Sequence, residues 1–327
     1  MYAMVLEAPG TPLVWRERPA PVPKAGQVRI VVDACGVCRT DLHVVDGDLP
    51  SIRYPIVPGH EIVGRIDEVG TDVENLKPGD RVGVPWLGST CGTCPYCRRH
   101  AENLCDHPEF TGYTRDGGFA THVIAEARYC FELGEAGDSD KIAPLMCAGL
   151  IGWRALKMAG GPKVLGLYGF GAAAHIIAQV AVRRQCRVYA FTRSGDSAAQ
   201  DFALSLGVVW AGAAAATLPE ELDAAIIFAP AGELIPIALR AVRKGGRVVC
   251  AGIHMSNIPS FPYRNLWGER QIASVANLTR ADGDEFLKLV RQIPVETHTT
   301  TYPLAEANTA LNALRSGTLV GAAVLLP

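Results

Sequence analysis

The chain has 327 residues, about twice the length of an ordinary domain, so two domains are expected. An apolar fraction of 49% with 20% charged residues belongs to a globular chain with a large core, and a net charge of −2 gives no electrostatic reason to expect nucleic acid or an anionic membrane as partner. No apolar run reaches the ~18 residues of a membrane-spanning helix.

The start, "MYAMVLEAPG", lacks the basic and apolar regions of a secretory signal, so a cytoplasmic location is expected. Short β-type runs follow: "QVRIVVDACG", "EIVGRIDEVG", "DRVGVPW" and "FATHVIA", each closed by a Gly or Pro turn. They predict a mostly antiparallel β domain over residues 1–152. From about Gly161 the texture changes. "KVLGLYGFG" reads as a buried strand, "AAAHIIAQVAVRRQ" as an amphipathic helix and "CRVYAF" as the next strand. "SAAQDFALSLG" (helix), "DAAIIFA" (strand), "GELIPIALRAV" (helix) and "GRVVCAGI" (strand) continue the alternation. This βαβ pattern predicts an α/β domain with a parallel sheet over 153–276. Residues 277–327 complete that domain and return to the first, the tail "GTLVGAAVLLP" reading as a strand. No internal repeat is present, and the alanines at 213–216 carry no functional signal.

Ten cysteines in such a chain argue for metal ligands or reactive thiols rather than a disulfide frame. Four fall within "CGTCPYCRRHAENLC": Cys91, Cys94, Cys97 and Cys105. Two Cys-x-x-Cys steps followed by a fourth thiol match the closed, all-sulfur tetrahedron of structural zinc. A nucleic-acid zinc ribbon is the rival, but only Arg98, Arg99 and His100 supply local positive charge, against Asp106 and Glu109. A closed four-sulfur shell leaves no position for chemistry, so the lobe at 91–105 is read as a staple.

Other ligand-type residues stand in "GVCRTDLH" (Cys38), "PGHEIVG" (His60, Glu61) and "APLMCAGL" (Cys147). Two thiolates and an imidazole would leave a fourth tetrahedral position open, as catalytic zinc requires. Spacing alone does not group residues so far apart. Resemblance does. The segments "GVCRTDLH", "PGHEIVGRIDEVG", "GDRVGVPW", "CGTCPYCRRHAENLC", "GYTRDGGFATHV", "CAG" and "YGFGAAAH" run in the order of the zinc-dependent alcohol dehydrogenases, which belong to the medium-chain dehydrogenase/reductase superfamily. The chain resembles that family along nearly its whole length.

The resemblance implies a GroES-like β catalytic domain joined to a doubly wound Rossmann domain. It implies two Zn²⁺ per chain, one catalytic on Cys38, His60 and Cys147 and one structural on the four clustered cysteines. Glu61 matches the acidic neighbour of the catalytic metal. Thr40 and His43 match the ends of a proton relay that runs through the nicotinamide ribose, and Trp86 matches a position that narrows the substrate pocket. The zinc-free quinone-reductase branch lacks these cysteines and is disfavoured. Reversible hydride transfer between a primary or secondary alcohol and a nicotinamide cofactor is the implied reaction, with zinc as Lewis acid. An NADPH-dependent aldehyde reductase of the cinnamyl-alcohol type is the alternative. A binding-only protein comes third. The partners expected are a small alcohol or aldehyde and further copies of the chain, as a dimer or tetramer.

Bland readings apply elsewhere. Cys35, Cys130, Cys186 and Cys250 read as small core residues. His107, His122, His175 and His298 have no motif support and read as structural. Asp41 reads equally as the cap of a helix starting near Leu42 or as a group behind a metal ligand. Trp86 also fits a plain core aromatic.

"GLYGFGAAAH" holds Gly169-x-Gly171-x-x-Ala174 between a strand and a helix, the dinucleotide fingerprint. Gly169 allows the tight turn, Gly171 lets the backbone approach a pyrophosphate, and Ala174 permits close helix–strand contact, with Ala172 opening the helix. Arg39 matches a family position that pairs with the pyrophosphate. The next strand ends at Thr192, Arg193 and Ser194, where an NAD enzyme usually carries an acid. Two hydroxyls and a guanidinium suit a 2′-phosphate, so NADP is favoured over NAD, with Asp196 the competing ribose ligand. The family's C-terminal Gly-Arg element reads Gly321-Ala322-Ala323-Val324 here, so its pyrophosphate contact is absent or replaced.

Overall fold

The computed structural model describes residues 1–319 and 321–327; Val320, within the predicted tail strand, lies outside the described residues. Contacts divide the chain into two compact units. The first comprises Met1–Cys147, Asn277–Leu287 and Glu296–Pro327, and the second Ala148–Ala276 with Lys288–Val295.

Strand Gln27–Val37 is the axis of the first unit. It pairs antiparallel with Glu61–Val69, His122–Glu126 and Ala322–Leu326. Glu61–Val69 continues to Arg81–Val84 and then Phe131–Glu132, while Thr299–Pro303 runs parallel to Ala322–Leu326 at the other edge. Alternation places Val28, Ile30 and Val32 inward, where they meet Ile62, Ile66, Phe119 and Leu325 in one apolar core. The register matters for chemistry. Gly36 stands opposite Glu61, which brings the segment just after one strand beside the segment just before the next. A Cβ on Gly36 would lie 1.9 Å from Glu61 Oε2, so glycine is what lets that carboxylate lie across the strand.

The second unit is a six-stranded, all-parallel sheet. Its order is Trp210–Ala213, Arg187–Thr192, Val164–Tyr168, Leu222–Ile227, Val242–Cys250, Gln271–Ser274. Val164–Tyr168 is buried at every position, as expected of a central strand covered on both faces. Helices Ala148–Met158 and Ala172–Arg183 pack closely, a Cβ on Gly152 falling 3.2 Å from Ile177. Chain order reverses between Val164–Tyr168 and Leu222–Ile227, the switch point at which doubly wound sheets take their ligands. Among the described residues no helix is long and apolar enough to cross a membrane.

Candidate active site

Cys38 sits at the N-cap of helix Arg39–Asp46. The helix therefore begins at Arg39 rather than near Leu42, and Asp41 is its third residue. Asp41 does not cap a helix starting near Leu42; its carboxylate serves the Cys38 N-cap and the buried His60. Its Oδ2 accepts the Cys38 backbone N–H at 2.8 Å, closing a capping box. Its Oδ1 accepts the Gly59 N–H at 3.2 Å and pairs with His60 Nδ1 at 3.1 Å. Asp41 and His60 are both fully buried. A proton on Nδ1 directed at that carboxylate leaves Nε2 with its lone pair, the tautomer a metal requires.

Cys38, His60, Glu61 and Cys147 each place one ligand atom within 4.8 Å of the others. Three segments converge to do this. Cys38 and His60 flank the Gly36–Glu61 pair, and Cys147 follows Met146, whose sulfur fills the space a Cβ on Gly83 would take, at 2.2 Å. The Cys38 and Cys147 sulfurs are 3.8 Å apart. The hydrogen bond from Cys147 holds the Cys38 thiol well below its ordinary pKa, helped by His60; the same contact and burial push Cys147 well above. Burial pushes the His60 pKa down, but the charge and hydrogen bond of Asp41 outweigh it and raise the value well above the ordinary one. His60 Nε2 is buried without a hydrogen-bond partner. Two sulfurs, an orphaned imidazole nitrogen and an adjacent carboxylate are a donor set for a divalent, borderline-soft cation such as zinc. The residues fit the metal.

Thr40 is buried beside this cluster, its Oγ1 3.8 Å from Cys38 Sγ. His43 lies one turn on, half-buried, its Nδ1 2.9 Å from Asp48 Oδ2. Trp86 meets the His60 ring edge-on at 4.8 Å and stacks with Phe110 and Tyr113 at 5.2 and 5.5 Å. It is therefore a core aromatic that also packs against the His60 ring. Phe110 and Tyr113 carried no residue-level signal in the sequence, since only the tertiary stack gives them a role.

The four clustered cysteines form a second group. Cys94 N–H donates to Cys91 Sγ, Cys97 N–H to Cys94 Sγ and Cys91 N–H to Cys105 Sγ, at 3.4 to 3.5 Å. His107 N–H adds another bond to Cys105 Sγ at 3.3 Å. Amides directed at sulfur stabilise thiolates. Those of Thr93 and Cys94 bring Cys91 down to about 6, whereas burial pushes Cys105 up to about 12. All ten cysteines are free thiols.

In the second unit, Gly169 has φ +88°, and a Cβ there would lie 2.9 Å from the Ala229 backbone nitrogen. Gly171 is the N-cap of helix Ala172–Arg183, and a Cβ there would meet nothing within 4 Å. That space is open to a ligand. Ala174 is fully buried, while Arg193 and Ser194 are exposed beyond the strand end. Thr192 donates to the Arg193 carbonyl at 3.1 Å and accepts from Gln200 Nε2 at 3.0 Å. Asp196, the competing ribose ligand, accepts the Ala199 N–H at 3.1 Å as the N-cap of helix Ser197–Ser205. Gln200 was not legible as a partner of Thr192. Arg39 is exposed.

The alcohol dehydrogenase GroES-like domain matches residues 24–135. The protein described as "Probable alcohol dehydrogenase AdhA" of Mycobacterium tuberculosis is 46% identical over 94% of this chain and 90% of its own. An alcohol dehydrogenase of Geobacillus stearothermophilus is 34% identical over 99% of both chains. Among solved structures, the cobalt- and zinc-bound thermostable alcohol dehydrogenase of Pyrobaculum aerophilum superposes with a TM-score of 0.90 at 25% identity, covering 100% of this chain and 99% of that one. With that extent of similarity, and a parallel doubly wound sheet in addition to the GroES-like unit, the chain belongs to the zinc-dependent alcohol dehydrogenases of the medium-chain dehydrogenase/reductase superfamily.

Proposed function

We propose that the chain oxidises primary or secondary alcohols, and reduces the matching aldehydes or ketones, at a zinc held by Cys38, His60 and Cys147, with NADP as the favoured dinucleotide. The buried His60 Nε2, lacking a hydrogen-bond partner among two sulfurs and a carboxylate, carries this reading. Zinc bound there supplies Lewis-acid polarisation of the substrate oxygen. Asp41 holds the His60 ring and fixes its tautomer. Glu61 adds a fourth donor to the ligand group. Thr40 Oγ1 takes the alcohol proton. His43 stands three residues further along the same helix face and passes the proton to solvent, its ring held by Asp48. Trp86 limits the space on the His60 side.

In the second unit, Gly169 makes the tight turn, Gly171 and Ala172 bring the N–H groups of the helix start to the pyrophosphate, and Ala174 lets the helix pack close to the sheet. Arg193 and Ser194, with Thr192, meet the 2′-phosphate; Asp196 is already committed to its helix cap. Zinc on the four clustered cysteines is structural. A cytoplasmic homo-oligomer is part of the same reading, as is the assignment of catalysis to the first unit and dinucleotide binding to the second.

Metal analysis together with an alcohol and aldehyde panel assayed with both dinucleotides tests this. Two zinc equivalents per chain and turnover favouring NADP are expected. No turnover with either dinucleotide at full zinc loading would refute the reading.

A further inference from the structure

The segment "FTGYTRDGGF", residues 110–119, belongs to no step of the chemistry above, yet its end, 116–119, is bonded to the segment 57–59 that leads into His60. Gly117 N–H donates to Val57 O at 2.7 Å, Phe119 N–H to Pro58 O at 2.9 Å and Gly118 N–H to Gly59 O at 2.9 Å. In return Val57 N–H donates to Asp116 Oδ1 at 2.9 Å. The two backbones touch. A Cβ on Gly112 would lie 2.7 Å from Gly59 N, and one on Gly117 would lie 2.1 Å from Gly59 O. The turn is also braced internally, Phe110 N–H donating to Thr114 Oγ1 at 2.7 Å and Gly112 N–H to Arg115 O at 2.9 Å.

From this rigid turn Tyr113 reaches two places. Its ring lies nearly parallel to Trp86, at 5.5 Å and 6°, and Trp86 meets His60 edge-on. Its hydroxyl donates to the Pro50 carbonyl, although the Tyr113 side chain itself is buried. Pro50 lies in the loop at 47–55. That loop starts where helix Arg39–Asp46 ends and includes Asp48, the partner of His43. Ser51, next to Pro50, has φ +64°, a conformation that a non-glycine residue keeps only where its surroundings hold it.

We propose that Tyr113 is a positioning and specificity-determining residue: its ring braces Trp86 against His60 while its hydroxyl latches the 47–55 loop, making one rigid wall beside the alcohol site. The inference rests on the alcohol-oxidising reading. Because the Pro50 residue is exposed, water can replace the lost bond, so removing the hydroxyl loosens the loop without unfolding the unit. A poorly ordered wall binds substrate less well, while Asp48 stays tied to the helix end by its own N–H to the His43 carbonyl at 3.0 Å, so KM moves and kcat does not.

The test is Tyr113→Phe, which keeps the stack and removes the latch, in the zinc-loaded protein. A single neutral hydrogen bond corresponds to about a fivefold change, so KM for the preferred alcohol should rise by about that factor. The increase should shrink for alcohols too small to reach the loop, while kcat, zinc content, dinucleotide affinity and melting temperature stay as in the wild type. Amide hydrogen exchange of the resting protein should quicken at 51–53 and remain unchanged at 48 and 57–60. Tyr113→Leu, which also removes the ring, should lower kcat as well. Unchanged KM and unchanged exchange in the Phe variant would overturn the proposal, as would equal loss of kcat and zinc. A protein inactive on every alcohol would sink the functional reading alone, since the exchange measurement still decides the latch.

Discussion

The two cysteine clusters of the first unit use the same element in opposite ways. Cys91, Cys94, Cys97 and Cys105 are neighbours in sequence, and their sulfurs are held by amides of their own short segment. Around them lie a four-residue helix, Pro95–Arg98, with no buried residue, and one 3₁₀ turn. Cys38, His60, Glu61 and Cys147 come from three segments, and each is placed by an element with a core behind it. The first group is local and has little core to fix its shape. The second is placed by the fold itself.

The same substitution should therefore fail differently in the two places. Cys38→Ser exchanges a thiolate for a poor zinc ligand in a site the sheet already holds. It should remove one zinc equivalent and reduce turnover to background, while melting behaviour and dinucleotide binding stay close to wild type. Cys94→Ser makes the identical change in a lobe with little core of its own. Structural zinc is worth about 10–16 kcal/mol in small zinc peptides, more than the packing of this lobe replaces. Lower melting temperature and solubility are expected before any change in turnover per folded molecule. Metal analysis with calorimetry separates the outcomes; matching behaviour of the two variants would break the comparison.

Within the preformed site, Thr40 sharpens the contrast between holding and reacting. Thr40→Ala removes a hydroxyl without touching a ligand and should cost about 10²-fold in turnover, whereas Thr40→Ser should retain most activity. Zinc content should not change in either. Equal losses in steady-state assays of both variants would assign the Thr methyl a packing role instead.

Sequence reading reached these sites to different depths for a physical reason. The four-sulfur lobe is legible because its geometry is written into a fifteen-residue segment, and the Gly169–Ala174 loop because strand, turn and helix are consecutive. The open site needs sheet register. Only the pairing of Gly36 with Glu61, and the seat of Met146 against Gly83, brings Cys38, His60 and Cys147 together. Motif resemblance grouped those residues where spacing could not. Asp41 was legible as a residue of interest, but its two duties emerge from one carboxylate reaching both Cys38 and His60. Tyr113 stood inside a recognised motif and Phe110 just before it, and neither had a role, because ring stacking is a tertiary fact.

The second unit offers smaller effects, which should leave both metals in place. The strand-end residues Thr192, Arg193 and Ser194 should give NADP about a 10- to 100-fold advantage in kcat/KM, the equivalent of one charge-assisted contact. Thr192→Asp should reverse that preference through repulsion of the phosphate. It also places a carboxylate beside Gln200, whose amide now bonds the threonine hydroxyl. Arg193→Ala should weaken NADP and leave NAD almost unchanged. A wild type that uses NAD at least as efficiently would show that the loop does not select.

The smallest effect lies at the start of the strand Val164–Tyr168, which leads to Gly169. Asp223 accepts the Lys163 and Val164 N–H groups at 2.8 and 2.9 Å and pairs with Arg243 Nε at 2.6 Å. Burial alone would raise its pKa, but Arg243 and the two amides outweigh burial and hold it below the ordinary value. A carboxylate whose pKa is depressed on folding stabilises the fold above its unfolded value, about 3.9, and that contribution fades as pH falls through the lower folded value. Asp223→Asn should therefore cost about 1–2 kcal/mol near neutrality. Its deficit against the wild type should narrow in denaturant titrations carried below about pH 4. Both zinc equivalents should survive the change, because every ligand belongs to the other unit. A deficit that stays constant from pH 7 to pH 3 would mean that shape, not charge, is what Asp223 contributes.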